Sequence, residues 1–443
     1  MQTNQKAIEV TGLNIVNVDT PGYSRQTPYL APYPALNTGE FFVGRGVTVD
    51  SILRSHDVFL AGQINDKSAD LGIESSMSSP LAEIERVLGI GEGSLADSFD
   101  QFFDSIRQLS TNPGGEVERQ LVLQQGTLIS DAFSSVIGEL QSAQNNINAT
   151  LNSKIDGVNA VTTEIADLNT RISAIEQSGQ TANSDRDRRD FLLKQLSQSI
   201  GAVSYETSTG SVSVTLANGM PLVEADKVTT IEGYTVGTDV QLRLNFGSTD
   251  IDIGLNSLGG EFRGLYDIRD VLMPDLTNRL DQLAYSFATA VNTEHAAGTG
   301  LDGSTGLDFF TPVVLAGAAS SLTLSLTDTD QIAAGSNSAP GNNENIINLL
   351  NLEQAQTIGG DTFVSYYGKI TATIGVEAAR NKTALTGLED SLVQLENLRD
   401  GIDGVSLEEE MINLLKYQNA FEASAKFLAT VDEMMQTMLS LKR

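Results

Sequence analysis

The chain has 443 residues, a formal net charge of −30, 40 % hydrophobic and 6 % aromatic residues, and neither Cys nor Trp. That length exceeds what one hydrophobic core organises and predicts several domains. The acidity opposes binding to nucleic-acid phosphates or anionic membranes, the lack of Cys removes disulfides and thiolate metal sites, and no apolar run approaches the roughly 20 residues of a membrane-spanning helix.

The start, Met1 to Lys6, lacks the apolar stretch of a cleavable secretory signal. Ala7 to Val18 predicts a short helix, with Ile8, Ile15 and Val18 on one side. Pro21-Gly22 then predicts a type II turn, because Pro fixes φ and Gly supplies the positive φ at the next position. Thr27 to Asp50 reads as an irregular segment with short strands at Phe41–Val43 and Val47–Val49. Ile52 to Leu71, Leu81 to Leu88 and Phe99 to Leu109 read as helices. From Phe133 through Ile147, Leu151, Val158 and Ile165 to Ile175 the apolar residues keep a 4-3 spacing, which predicts a long coiled-coil helix weakened at Gly138 and Gly157. Ile374, Leu385, Leu388, Leu392 and Leu395 form a second such series, expected to be its antiparallel partner.

Between these series the period changes to two. Val212, Val214 and Leu216, then Val240, Leu242 and Leu244, then Ile251 and Ile253 alternate with polar residues, and Asn218-Gly219 offers a hairpin turn. An antiparallel β module over Ser204 to Leu258 follows. A helical stretch from Glu261 to Thr293 contains Pro274. Leu322, Leu324 and Leu326 alternate again, and 333–345 reads as a linker.

The last stretch, Ser406 to Arg443, holds neither Gly nor Pro. Ser406 and Glu409 make a capping signal. Leu407, Met411, Leu414, Phe421, Leu428, Met435 and Leu439 form one apolar stripe, and Phe427, Val431, Met434, Met438 and Leu441 lie beside it as a second. A stripe that wide needs partners on two sides, so this helix is finished only by another helix, another copy or another protein.

Chemistry-bearing residues do not converge. His56 and His295 stand alone, and Glu294-His295 lacks the second His of a zinc-protease motif. Asp302-Gly303 lacks the remaining ligands of a calcium loop and reads as a tight turn. Asp185 to Asp190 reads as a solvated helix start with local ion pairs. No catalytic, cofactor or metal residues are assigned, and the chain is expected not to be an enzyme.

The stretch Asn14-Ile15-Val16-Asn17-Val18-Asp19-Thr20-Pro21-Gly22-Tyr23-Ser24-Arg25-Gln26 resembles the N-terminal signature of the bacterial flagellar rod, hook and hook-associated proteins. Gly259 to Asp270, Asn292 to Gly303 and Gly404 to Lys426 are similar to further stretches of that family. The Tyr23-Ser24-Arg25-Gln26 ending points to its hook–filament junction members. The resemblance implies a structural axial protein, exported through the flagellar type III apparatus without signal cleavage and placed extracellularly on the flagellum. It implies as partners the hook protein, a second, filament-side hook-associated protein, further copies in a ring, and an export chaperone on the C-terminal helix, with no nucleic acid and no membrane. The apolar stripes of the last helix and the turn residues Asn17, Thr20, Pro21, Gly22, Tyr23 and Arg25 are the expected assembly residues. Met1 stands closer to the motif than in that family, which predicts either a truncated start or a short first helix.

The expected fold is α+β, elongated and multidomain. Segments 1–22 and 404–443 pair as terminal helices in a coiled-coil stem. Segments 23–200 and 345–403 form a helical stem domain with an irregular β part. Segment 201–344 is an inserted, mainly antiparallel β outer domain with a helix at 261–293. Two other readings exist. A flagellin- or hook-type protein would polymerise indefinitely. A secreted coiled-coil adhesin or enzyme would need a site that the sequence does not offer.

Overall fold

The computed structural model describes residues 1–37, 41–89, 91–207, 210–247 and 249–441. Helix α1 (Gln2–Val16) leads through the Pro21-Gly22 turn into strand β1 (Gln26–Pro32), which pairs antiparallel with β4 (Val47–Arg54). Their excursion carries a smaller pair, β2 (Leu36–Asn37) and β3 (Phe42–Val43). The segment expected to be irregular is therefore a hairpin on a hairpin. Asp57 caps the next helix, α2 (Val58–Val87), by accepting from the N–H groups of Phe59 and Leu60, and α2 continues through Pro80.

Helix α3 (Leu95–Thr111) turns into α4 (Glu116–Gln177), whose 62 residues make a rod of about 93 Å. Helix α5 (Asn183–Ile200) folds back on it and ends at Gly201 with φ +68°, a left-handed terminator that only Gly adopts cheaply. Two small antiparallel sheets follow. One holds β5 (Val203–Glu206), β6 (Val212–Thr215), β7 (Pro221–Glu224) and β8 (Lys227–Val228) in that order; the other holds β9 (Thr230–Val236), β10 (Asp239–Asn245) and β11 (Asp250–Asp252). The alternating residues Val212, Val214, Val240, Leu242 and Leu244 all face inward and are buried.

The 4-3 series of α4 does not pair with the second series. Its residues are covered by α3, α5 and the two sheets, while the second series lies on α10 (Phe363–Asp403), whose chief partner is α2. Periodicity marked the buried faces but not which face meets which. Asn side chains fix the sheets to α4. Asn159 donates to Ile231 O and accepts from Ile231 N–H (2.8 and 2.9 Å); Asn169 does the same with Val212 (2.8 and 3.0 Å). Asn148 accepts from Val240 N–H and donates to Thr238 O. A carboxamide carries a donor and an acceptor side by side, so it completes a strand edge as a neighbouring strand would.

The predicted helix around Pro274 divides. Helix α6 (Gly260–Tyr266) is followed by a π-helical turn (Asp267–Leu272) and α7 (Met273–Ala297). Pro274 has no N–H to give to the preceding turn, and the wider π turn accommodates its ring. Arg269 points inward from that turn. Fully buried, it donates to Val240 O and Asn148 Oδ1 (2.6 and 2.8 Å), pairs with Asp270, and its guanidinium lies 4.3 Å from the Tyr266 ring centre.

The alternation at Leu322–Leu326 forms no strand, only a bridge between Phe310 and Leu324. Past the short helix α8 (Ala318–Ser321), the expected linker at 333–345 is anchored at its ends: Ala333 and Ala334 are covered, 336–341 are exposed, and Asn345 is buried at the start of α9 (Glu344–Asn351). Arg119 holds the turn just before it by donating to Thr329 O and Ile332 O. At the centre, Phe99, Phe102, Phe287, Phe309, Phe310 and Phe363 pack mostly edge to face with centroids 4.9–6.1 Å apart. One core runs from Met77 to Ile374, and a small separate cluster of Leu60, Ile64 and Leu392 joins α2 to α10.

Helix α11 (Leu407–Ser440) closes the chain and packs against α1, so the terminal helices pair as expected; the last two residues of the predicted rod lie outside the described residues.

Candidate assembly site at the root of the terminal helices

The terminal pair joins the rest of the molecule through a polar cluster built on the signature turn. Asn14 uses all of its hydrogen-bonding capacity there. Its Nδ2 donates to Gln26 O at 2.8 Å and to Glu410 Oε2 at 3.2 Å; its Oδ1 accepts from Gln26 N–H at 3.0 Å and from the Tyr23 hydroxyl at 2.9 Å. Asn17 ends α1 by donating to Leu13 O, and accepts from the Thr20 hydroxyl. Tyr23 N–H donates back to Thr20 O, and Gly22 has φ +81°, the geometry of the predicted type II turn. Gly22 also faces Phe191, whose Cβ would lie 3.2 Å from an added side chain.

Arg25 crosses from this turn to the other end of the sequence. Its guanidinium reaches Glu409 at 2.9 Å and Glu410 at 2.8 Å, and its N–H donates to Asp403 O. Glu410 is 2 % exposed, so the pair sits at low dielectric and fixes geometry more firmly than a surface pair would. The capping signal is half realised: Ser406 accepts from Glu409 N–H, but the Glu409 carboxylate goes to Arg25. Asp403, at the end of α10, accepts from Ser55 Oγ and Asp57 N–H and so ties the α10–α11 corner to the hairpin and α2.

The charge run expected to be solvated is partly buried here. Asp187 accepts from Ser24 N–H and from Arg54; Arg189 donates to Asn169 Oδ1 and Gly210 O. Burial pushes the Asp187 carboxyl above its ordinary value although Arg54 and Ser24 pull the other way. Burial, then Asp187 and Glu410, raise the Tyr23 phenol to about 12, so it stays a donor to Asn14 at any physiological pH. The signal missed was position: Asp187 lies on the face of α5 turned toward the signature turn.

The stripe residues have a different setting. Leu414, Phe421 and Val431 are half-buried, whereas Leu407, Met411, Phe427, Leu428, Met434, Met435 and Leu439 are exposed. The covered part of α11 ends near Ala425; α1 runs the opposite way, its end lying at the start of α11. No cluster of His or carboxylate groups able to hold a metal ion is present among the described residues, and no described helix is long and apolar enough to cross a membrane. A cleft of about 660 Å³ lies beside the turn, but its charges are spent on one another, Arg54 with Asp190, Lys194 with Glu396 and Arg399 with Asp400. His295 is buried, its Nδ1 meeting Leu307 O and its Nε2 accepting from Ala333 N–H; burial holds its pKa below the ordinary value.

A long helical body, terminal helices locked together at their root and an uncovered apolar stripe beyond it define a structural assembly protein. A family model described as the flagellar hook-associated protein FlgK helical domain matches residues 81–310, and one described as the flagellar basal body rod FlgEFG protein C-terminal region matches residues 403–441. The chain belongs to the FlgK family of flagellar hook-associated proteins, structural components of the bacterial flagellum at the hook–filament junction. Flagellar hook-associated protein 1 of Bacillus subtilis is 26 % identical over 99 % of this chain and 96 % of its own length; the Escherichia coli protein of that name is 24 % identical over 99 % and 97 %. The structure of the flagellar hook junction protein FlgK from Burkholderia pseudomallei shares the fold, with a TM-score of 0.71 and 14 % identity over 77 % of this chain and all of that one.

Proposed function

We propose that the chain sits between hook and filament as a ring of its own copies, outside the cell, after export without signal cleavage. In this reading the stripes of α11 pack subunit on subunit, and Asn17, Thr20, Pro21, Gly22, Tyr23 and Arg25 set the angle at which the body leaves the terminal pair. Segments 1–22 and 404–443 form the inner layer, 23–200 with 345–403 the middle one, and 201–344 faces outward. Hook protein lies on one side and a second hook-associated protein on the other, and an export chaperone covers α11 before assembly. The observation that carries this reading is the exposed stripe from Phe427 to Leu441 on a helix whose first half is already paired. Exposed apolar area of this kind marks an interaction surface.

Co-sedimentation with hook fragments that lack filament tests it. The full chain is expected to pellet and saturate, and a chain ending at Gly404 to stay in solution. Equal pelleting of both would remove α11 from the interface, and pelleting without saturation would favour an indefinitely polymerising protein.

A further inference from the structure

Asn218-Gly219, at the tip of the β6–β7 hairpin, is the one Asn-Gly pair of the chain. Gly has no Cβ to crowd its nitrogen, so in a flexible chain that nitrogen reaches the preceding carboxamide with little hindrance. The reaction that follows needs only water. Gly219 N loses its proton to water and bonds to Asn218 Cγ. The Cγ–Nδ2 bond breaks, and Nδ2 leaves as ammonia with the proton returned. Water then opens the five-membered imide. Addition at Cγ gives Asp. Addition at the main-chain carbonyl carbon gives isoaspartate, whose backbone runs through Cβ and Cγ and is one atom longer.

In the folded chain every polar group of that reaction is tied. Gly219 N–H donates to Leu216 O at 2.8 Å, and its φ of +86° fixes the turn in the left-handed region. Asn218 Nδ2 donates to Ser257 Oγ at 2.7 Å, and Asn218 Oδ1 accepts from Met220 N–H at 3.1 Å. Asn218 and Gly219 are exposed, so water reaches them, whereas Ser257 is buried at the end of the short helical turn Leu255–Ser257. Before Cγ can meet Gly219 N, the carboxamide must leave both of its partners.

We infer that Asn218 is a latent deamidation and isomerisation site, and that the Ser257 hydroxyl is the latch that holds it back. Ser257 lies outside the hairpin, 39 residues further on. The latch therefore closes only when β6, β7 and the Leu255–Ser257 turn have come together, and it opens whenever the sheet opens. Conversion then undoes the hairpin. Leu216 N–H closes it by donating to Met220 O at 2.8 Å, and Leu216 and Leu222 beside it are buried. Isoaspartate adds a backbone atom inside that closed ring, and a carboxylate has no N–H to give to Ser257. The Asp-Gly pairs at Asp156, Asp302, Asp400 and Asp403 isomerise without a change in mass, so a gain of mass reports on asparagine alone.

The test is to hold the full-length protein in warm, mildly alkaline buffer and follow the gain of one mass unit, and of isoaspartate, by peptide mapping. In denaturant the gain is expected at Asn218 before any other asparagine. In the folded chain it should be slower by about tenfold or more, because each hydrogen bond to be broken counts for a factor of a few. Ser257→Ala should speed the folded-state reaction about three- to tenfold, the loss of one hydrogen bond, with the initial amide protection of β6 and β7 unchanged. Ser257→Thr keeps a hydroxyl and should stay near the original rate. Converted protein should show faster amide exchange at Leu216. Equal rates in the folded and denatured chain, no change in Ser257→Ala, or equal acceleration in Ser257→Thr and Ser257→Ala overturns the latch. A first gain at another asparagine overturns the site.

Discussion

Helices α4 and α11 look alike in the sequence and differ in every physical respect. Both carry apolar residues in a 4-3 rhythm. On α4 the rhythm is covered along its whole length, by α3, α5 and two sheets, and asparagines within the same face pin those sheets in place. On α11 the rhythm is half-covered at Leu414 and Phe421, along the part that packs on α1, and exposed at Leu407, at Met411 and at most positions from Phe427 on. Heptad spacing says that a face exists and says nothing about whether its cover lies in the same molecule. The feature that separates the two is what interrupts the apolar face. On α4 it is Asn148, Asn159 and Asn169, each matched to backbone groups of this chain; the open part of α11 offers no such matched polar group.

Substitutions turn the contrast into numbers. The largest effect is expected for Phe133→Ala on α4, which empties a fully buried site against Phe99 and should cost about 3–5 kcal/mol of unfolding free energy in denaturant titration. Asn169→Ala should cost about 2–3 kcal/mol, because it orphans both backbone groups of Val212 at the start of β6 and takes one of two acceptors from Arg189; a cost near zero would mean that the sheet holds its place without the clamp. Glu410→Ala removes the partner of Arg25 and Asn14 and should cost about 1–3 kcal/mol. Its distinguishing readout is faster amide exchange in α1 with α4 unchanged. A smaller, pH-limited effect comes from His295. Its folded pKa lies below the ordinary value, so the unfolded chain takes up the proton first as pH falls. Stability is complete above about pH 6.5 and declines below it, and His295→Gln should flatten that decline in a pH series of melting temperatures. Met438→Ala on α11 should leave monomer stability within about 0.5 kcal/mol while weakening sedimentation with hook fragments.

Much of this was legible from residue patterns. The terminal helices, the Pro21-Gly22 turn, the alternating strands and the wide stripe of α11 follow from period, capping and turn chemistry. Three things were not. The pairing of α10 with α2 depends on competition among several apolar faces of similar strength. The loop at 333–345 reads as a linker because Gly, Asn and Ser dominate it, yet His295 accepts from its Ala333 N–H and Arg119 holds the backbone just before it, both from far away in sequence. The run Asp185 to Asp190 reads as solvated because charges are usually exposed, but the root of the terminal pair needed Asp187 as an acceptor for Ser24 and Arg54.

The hydrogen bond between Asn14 and Glu410 joins positions 396 apart in the chain. Strands β5 to β11 pair with immediate neighbours and can form as soon as their residues are free. Helix α1, with 15 residues, is marginal alone in water. The β1–β4 hairpin touches it locally, but its largest partner, α11, comes only when nearly the whole chain has been made or delivered. The order of events is thus written into the topology: the body condenses locally and early, and closure of the two ends is the last step of folding.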